Sequence, residues 1–89
     1  MASIVIASLS NEIRLKTLVC LASGEKNVTE LISNCHLSQS AVSQHLEKLR
    51  KAGLVTTRKE GKEIYYSLKY LKSAKVARQI IDFAREVEK

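Results

Sequence analysis

A mainly α-helical domain with one small β-hairpin, in the order α-α-α-α-β-β-α, is the fold the sequence predicts. Three observations carry this. Apolar residues recur at steps of three and four through residues 11–22, 38–52 and 70–88. Asn27 and Ser38 are helix-capping signals that place two helices almost end to end. Two β-rich runs, LVTTRK and EIYYSL, flank Glu60-Gly61-Lys62 as the arms of a hairpin flank its turn.

In chain order, residues 3–9 predict a short apolar helix carrying Ile4, Val5, Ile6 and Leu9. Ser10 is the expected N-cap of a second helix from about Asn11 to Ala22. Its apolar stripe runs through Ile13, Leu15, Leu18, Val19, Leu21 and Ala22, with Glu12, Arg14 and Lys16 on the other side, and Ser23-Gly24 ends it. Asn27-Val28-Thr29-Glu30 has the form of a capping box, so a short helix is expected from Val28 to about Cys35, burying Leu31 and Ile32. After His36 and Leu37, Ser38 opens a helix whose buried face is Val42, Leu46 and Leu49. Gly53 falls where a left-handed residue closes a Schellman motif, with Leu54 placed to touch Leu49. The last helix is spaced through Leu71, Ala74, Ala77, Ile80, Ile81, Ala84 and Val87.

Without proline, repeats or long linkers, residues 1–89 are expected to form a single domain, small enough that dimerisation would add useful burial. Fifteen Lys and Arg against nine Asp and Glu give a net charge of +6, which favours an acidic partner such as nucleic acid or a membrane surface. The apolar N-terminal run, about nine residues, is well short of the roughly 20 a membrane span needs, and it lacks the basic leading region of a signal peptide. Cys20 and Cys35 are too few for a disulfide framework and match no zinc-ligand spacing, so a reduced cytoplasmic protein without metal or other cofactor is expected. No nucleophile, base and orienting acid come together as a catalytic set, which argues against an enzyme.

Helix, tight turn, helix, then a basic hairpin is the layout of a winged helix-turn-helix, whose second helix reads the major groove through its N-terminal residues. With Val42, Leu46 and Leu49 inward, the opposite face shows Ser40, Ser43, Gln44 and Glu47. Glutamine can pair bidentately with adenine, serine can bond bases or phosphates, and short side chains let the backbone approach the groove. Lys48, Arg50 and Lys51 follow, and Arg58, Lys59 and Lys62 flank the hairpin tip, where they are placed to grip phosphates.

The runs LSNEIRLKTLVCL and VTELISNCHLSQSAVSQHLEKLRKAGLVTTRKEGKEIYYSL resemble the ArsR/SmtB family of bacterial winged-helix transcription regulators over about residues 7–68. Glu12-Ile13 departs from the proline common there, a local change to the helix start. The resemblance implies a homodimer on an imperfect palindrome of double-stranded DNA, usually repressing an operon. It puts Ser38, Gln39, Ser40, Ser43, Gln44 and His45 on the recognition helix within 38–52, and Arg58, Lys59 and Lys62 in the wing within 55–67. For His45, on the border of the buried face, a structural histidine bonded to the backbone stands beside a DNA contact. The resemblance also assigns the terminal helices, about 3–9 and 70–88, to the dimer interface through Ile4, Val5, Leu9, Leu71, Ala74, Ala77, Ile81 and Ala84. Such an interface would set the recognition helices about 34–36 Å apart, one turn of DNA.

The sensor sites of that family do not carry over intact. Asn27 and Thr29 stand where arsenic- and cadmium-sensing members have Cys-x-Cys, and residues 69–89 hold no histidine for a zinc site. Members that sense sulfide or oxidants pair a cysteine of the second helix with one of the last. Here that position matches Val19, Cys20 is one residue away, about 100° round the helix, and no cysteine follows Cys35. A dithiol switch of that kind is disfavoured; Cys20 is expected as a small core residue and Cys35 as a helix-end cysteine. The function expected is therefore sequence-specific DNA binding by a homodimeric repressor. The alternative is a winged-helix module that uses the same basic face to bind protein.

Overall fold

The structure is a computed structural model that describes residues 2–89. Five helices and a three-stranded antiparallel sheet follow one another as α1 (Ile4–Ser8), α2 (Glu12–Cys20), β1 (Lys26–Asn27), α3 (Val28–Cys35), α4 (Gln39–Lys51), β2 (Val55–Glu60), β3 (Glu63–Leu68) and α5 (Lys72–Val87). This is the winged helix-turn-helix expected from the sequence, with the small strand β1 added at one sheet edge. Its two residues pair with β3, Lys26 opposite Tyr66 and Asn27 opposite Tyr65, giving the order β1-β3-β2. A two-residue strand carries no readable alternation, so the sequence offers no period by which to find it.

The cap of α2 is Asn11 and not Ser10. The Asn11 Oδ1 accepts hydrogen bonds from the amides of Ile13 at 2.9 Å and Arg14 at 3.1 Å, whereas the Ser10 hydroxyl turns back and donates to the Ala7 carbonyl at 2.7 Å. A 3-10 turn over Leu21–Ser23 then takes the place of the expected last turn of α2. At α3 the capping box is complete: Glu30 N donates to Asn27 Oδ1 at 2.8 Å and Asn27 N to Glu30 Oε1 at 3.0 Å. Ser38 occupies the N-cap position of α4 with extended backbone but makes no side-chain cap bond; its hydroxyl pairs with that of Ser40 at 2.9 Å.

His36 closes α3 in the left-handed region, φ 56°. That conformation costs a non-glycine residue roughly 1–2 kcal/mol and turns the chain sharply enough for Leu37 to enter the core before α4 begins. At the far end of α4 the Schellman motif is present in full, with Leu54 N bonded to the Leu49 carbonyl and Gly53 N to that of Arg50, both at 3.0 Å, and Gly53 at φ 79°. The hairpin closes on the two residues Gly61-Lys62 between the paired Glu60 and Glu63, glycine taking the positive φ that such a turn requires at its first position.

The core gathers Leu15 and Leu18 of α2, Leu31 of α3, Val42, Leu46 and Leu49 of α4, and Leu54 and Val55 at the hairpin base. Helix α5 lies along α2 and completes that core with Ala77 and Ile81. Leu18, Leu31, Val42, Leu46 and Leu49 are wholly excluded from solvent, so each helix of the helix-turn-helix is anchored by at least one fully buried side chain.

Because both halves of the capping box are made, Asn27→Ala should destabilise the fold by about 1 kcal/mol. Urea denaturation should show a lower midpoint with an unchanged slope; an unchanged midpoint would mean that the cap contributes nothing to the helix-turn-helix.

Candidate nucleic-acid interface

The apolar period of α4 decides which of its side chains face outward. With Val42, Leu46 and Leu49 buried, Ser38, Gln39, Ser40, Ser43, Gln44 and Lys48 are exposed along the N-terminal and outer part of the helix. Ser43, Gln44, Glu47, Lys48 and Lys51 line one shallow concavity there. Glu47 is engaged by Arg50, which donates to it from both Nε and Nη2 and holds its carboxyl below the usual carboxylate range. The acid of α4 is thus paired locally, and Lys48 and Lys51 make no ion pair among the described residues.

The hairpin divides its three expected cations differently. Arg58 is not free: its Nε and Nη2 donate to the Glu25 carboxylate, its Nη1 donates to Glu60 at 3.0 Å, and its guanidinium lies 4.8 Å over the ring of Tyr65 across the ladder. Those bonds raise the Arg58 pKa and lower that of Glu25. Two carboxylates on one guanidinium cancel the charge that the sequence places at position 58. Lys59 and Lys62 are exposed and make no ion pair among the described residues, so they carry the positive charge of the wing.

His45 has a partner that neither sequence reading supplies. Its Nδ1 lies 3.1 Å from Nη1 of Arg14, whose Nε donates to the Ser8 carbonyl at 2.8 Å and whose Nη2 donates to that of Ala7 at 3.2 Å. Arg14 is 8% exposed, not on the solvated side of α2 where its charge suggested. Since a guanidinium only donates, His45 Nδ1 accepts, which requires a neutral ring with its proton on Nε2. Burial, then Arg14, then Lys48 hold the His45 pKa below its ordinary value. His45 is therefore tied to a side chain rather than to backbone, and it positions α4 against the end of α1. The signal for Arg14 was its spacing: residues 14, 18 and 21 repeat at steps of four and three, and 18 and 21 are leucines.

The residues expected at a dimer interface separate into two groups. Ile4, Val5 and Leu71 are exposed, and Leu9 and Ala84 are half-buried. Ala74, Ala77 and Ile81 instead face the chain's own core, because α5 must cover α2 with one flank. What α5 leaves in solvent is Ile80, Phe83 and Val87, at steps of three and four, with Phe83 67% exposed. Among the described residues no three of His, Cys, Asp and Glu come together to hold a metal ion, and no helix is long and apolar enough to cross a membrane.

The pattern of the bacterial regulatory proteins of the arsR family matches residues 11–57, from the cap of α2 into the wing. The transcriptional activator HlyU of Vibrio cholerae is 48% identical over 67 residues, covering 75% of this chain and 62% of that protein. The biofilm growth-associated repressor of Agrobacterium fabrum is 39% identical over 74 residues, 83% of this chain and 63% of that protein. The chain thus spans about three fifths of the length of these curated relatives. Among solved structures, the homodimeric winged helix-turn-helix DNA-binding domain of a possible ArsR-family regulator from Mycobacterium bovis superposes with a TM-score of 0.73 at 30% identity, covering 93% of this chain and 76% of that one.

Because folding holds His45 neutral, the stability it contributes is present above the ordinary histidine pKa, about 6.5, and is lost as pH falls below it, where the unfolded chain takes up the proton first. Stability measured by urea at pH 7.5 and 5.5 should fall for the native sequence and fall less for His45→Gln. Equal losses in the two proteins would show that the Arg14 contact does not govern the protonation of His45.

Proposed function

The chain belongs to the arsR family of bacterial regulatory proteins, and from that premise we propose that it is a cytoplasmic, homodimeric transcriptional repressor that binds an imperfect palindromic operator in double-stranded DNA. The observation that carries this reading is the outer face of α4. Its first turns expose Ser40, Ser43 and Gln44, groups short enough to approach base edges, while its inward side is held in the core by three fully buried residues. Gln44 is the base reader, with Ser38, Gln39, Ser40 and Ser43 beside it. Lys48, Lys59 and Lys62 meet phosphates, and Arg58 shapes the wing through Glu25 and Glu60 without donating charge to DNA. His45 holds the helix in place from behind.

The dimer forms through the apolar surface that the chain leaves at its two ends. Ile4, Val5 and Ile6 of α1 and Leu71, Ile80, Phe83 and Val87 in and beside α5 are large apolar side chains in solvent, more than a domain of this size leaves scattered singly. A two-fold protein then selects a two-fold operator.

Gln44→Ala should cost about 1–3 kcal/mol on a selected operator and relax preference at one base position. Lys62→Ala should weaken every duplex alike and reduce the dependence of log K on log salt by about one unit. Gel shifts with a palindromic operator, selected from the source genome, and with random duplex check both; equal affinity of the native protein for the two duplexes would instead favour a protein-binding module. Phe83→Arg should shift sedimentation towards monomer without lowering the thermal midpoint of the monomer; an unchanged dimer would place the interface elsewhere.

A further inference from the structure

Cys20 and Cys35 stand outside the DNA-reading surface, and their placement differs from the one expected. Instead of lying apart in a core and at a helix end, the two sulfurs are joined, with Cα atoms 6.2 Å apart and 15 residues between them in sequence. That separation lies within the roughly 4.4–6.8 Å that bridged cysteines adopt. The pairing was invisible to sequence because it depends on the crossing of α2 and α3, whose C-terminal residues these are. Both cysteines are half-buried and open onto a cavity of about 340 Å³, lined also by Asn34, Lys16, Arg78 and Arg85. No carboxylate lines it. Lys16 is held by Glu12 at 2.8 Å, whereas Arg78 and Arg85 make no ion pair among the described residues.

We propose that Cys20 and Cys35 form a reversible dithiol–disulfide site, oxidised by exchange with a small anionic disulfide drawn to the Arg78 and Arg85 cavity, and that the bond locks α3 to α2. Guanidinium groups at a thiol favour the reactive thiolate and attract an anion to it. Arg78 and Arg85, seven residues apart, share the flank of α5 that carries Ile81, while Ile80, Phe83 and Val87 form another flank. A dimer on that apolar flank leaves the cavity open. In the exchange, one protein thiolate attacks a sulfur of the small disulfide and displaces a small thiolate, giving a mixed disulfide. The second cysteine then attacks the protein sulfur and displaces the other small thiolate. Two protein thiols are oxidised and one small disulfide is reduced to two thiols, with no further oxidant.

The consequence follows from chain order. Cys35 is followed at once by the left-handed His36, the buried Leu37 and α4, while Cys20 ends the helix on which α5 lies. The bond therefore ties the helix-turn-helix to the α2 and α5 layer, and its reduction frees α3 to move on α2.

The test uses the full chain, reduced and then treated with glutathione disulfide. Mass spectrometry should show a monomeric product lighter by two hydrogens with no alkylatable thiol, fully recovered by dithiothreitol; Cys20→Ser and Cys35→Ser should each stop at one bound glutathione. The variant Arg78→Gln with Arg85→Gln should react about five-fold more slowly with glutathione disulfide at low salt, and at an unchanged rate with the uncharged 2-hydroxyethyl disulfide. Amides of residues 31–42 should exchange at least about five-fold faster in the dithiol than in the disulfide form. Two thiols still alkylatable after treatment, a bond between protomers, equal slowing with both disulfides, or equal exchange in the two forms each overturn the proposal. Operator affinity that responds to oxidation adds the regulatory outcome, which rests on the DNA-binding reading. Loss of operator discrimination in both forms would sink that reading and leave the thiol and exchange results to decide this one.

Discussion

A buried guanidinium holds the orientation of this domain. Arg14 spends its donors on two carbonyls at the end of α1 and on the neutral ring of His45 in α4, so one side chain of α2 fixes both helices that flank it. Nothing apolar of the same volume could satisfy the Ser8 carbonyl, and a buried carbonyl without a partner costs roughly 1–3 kcal/mol. The charge is tolerated because each exposed end of the fork meets an acceptor. Helix α1, which carries part of the proposed dimer surface, and α4, which carries the proposed DNA-reading groups, are thereby referred to the same point.

Charge on the proposed DNA face is arranged by the same logic of pairing. Basic residues are abundant in α4 and the hairpin, but Arg50 is engaged with Glu47 and Arg58 with Glu25 and Glu60. The arginines, with planar forks suited to carboxylates, are used within the molecule, and the lysines at 48, 51, 59 and 62 remain for the outside. Surface pairs of this kind contribute little to stability, typically below about 1 kcal/mol; their effect is to hold the first residues before β1 against the wing and to decide which cations a phosphate can meet.

Helix α5 shows how a single element serves two surfaces. One flank, through Ala74, Ala77 and Ile81, closes the core over α2 and carries Arg78 and Arg85 at its edge beside the joined cysteines; another presents Ile80, Phe83 and Val87 to solvent. Two alanines and Ile81 face inward, which lets α5 approach α2 closely, while Ile80, Phe83 and Val87 stay in solvent on a flank that the chain's own core does not cover. The interface expected from the sequence drew residues from both flanks of α5, since the apolar positions of that helix form a broad stripe with no mark separating those that face the core from those left in solvent.

Much of the local order was legible, although the cap of α2 fell on Asn11 rather than Ser10 and β1 carried no signal. The capping box at Asn27, the Schellman turn at Gly53, the glycine hairpin and the inward triad of Val42, Leu46 and Leu49 are each encoded within a few residues, by caps, φ preference and apolar period. From these alone follow the helix-turn-helix, the wing and the outward Ser and Gln face. Tertiary structure decided the rest, for one reason: the pairs concerned are distant in sequence and carry no periodic signal. The bond from Arg14 to His45 spans 31 positions, that from Glu25 to Arg58 spans 33, and Cys20 meets Cys35 across 15. Residue type announces that Arg14, Arg58 and the cysteines can pair, and only the crossing of helices and strands determines with whom.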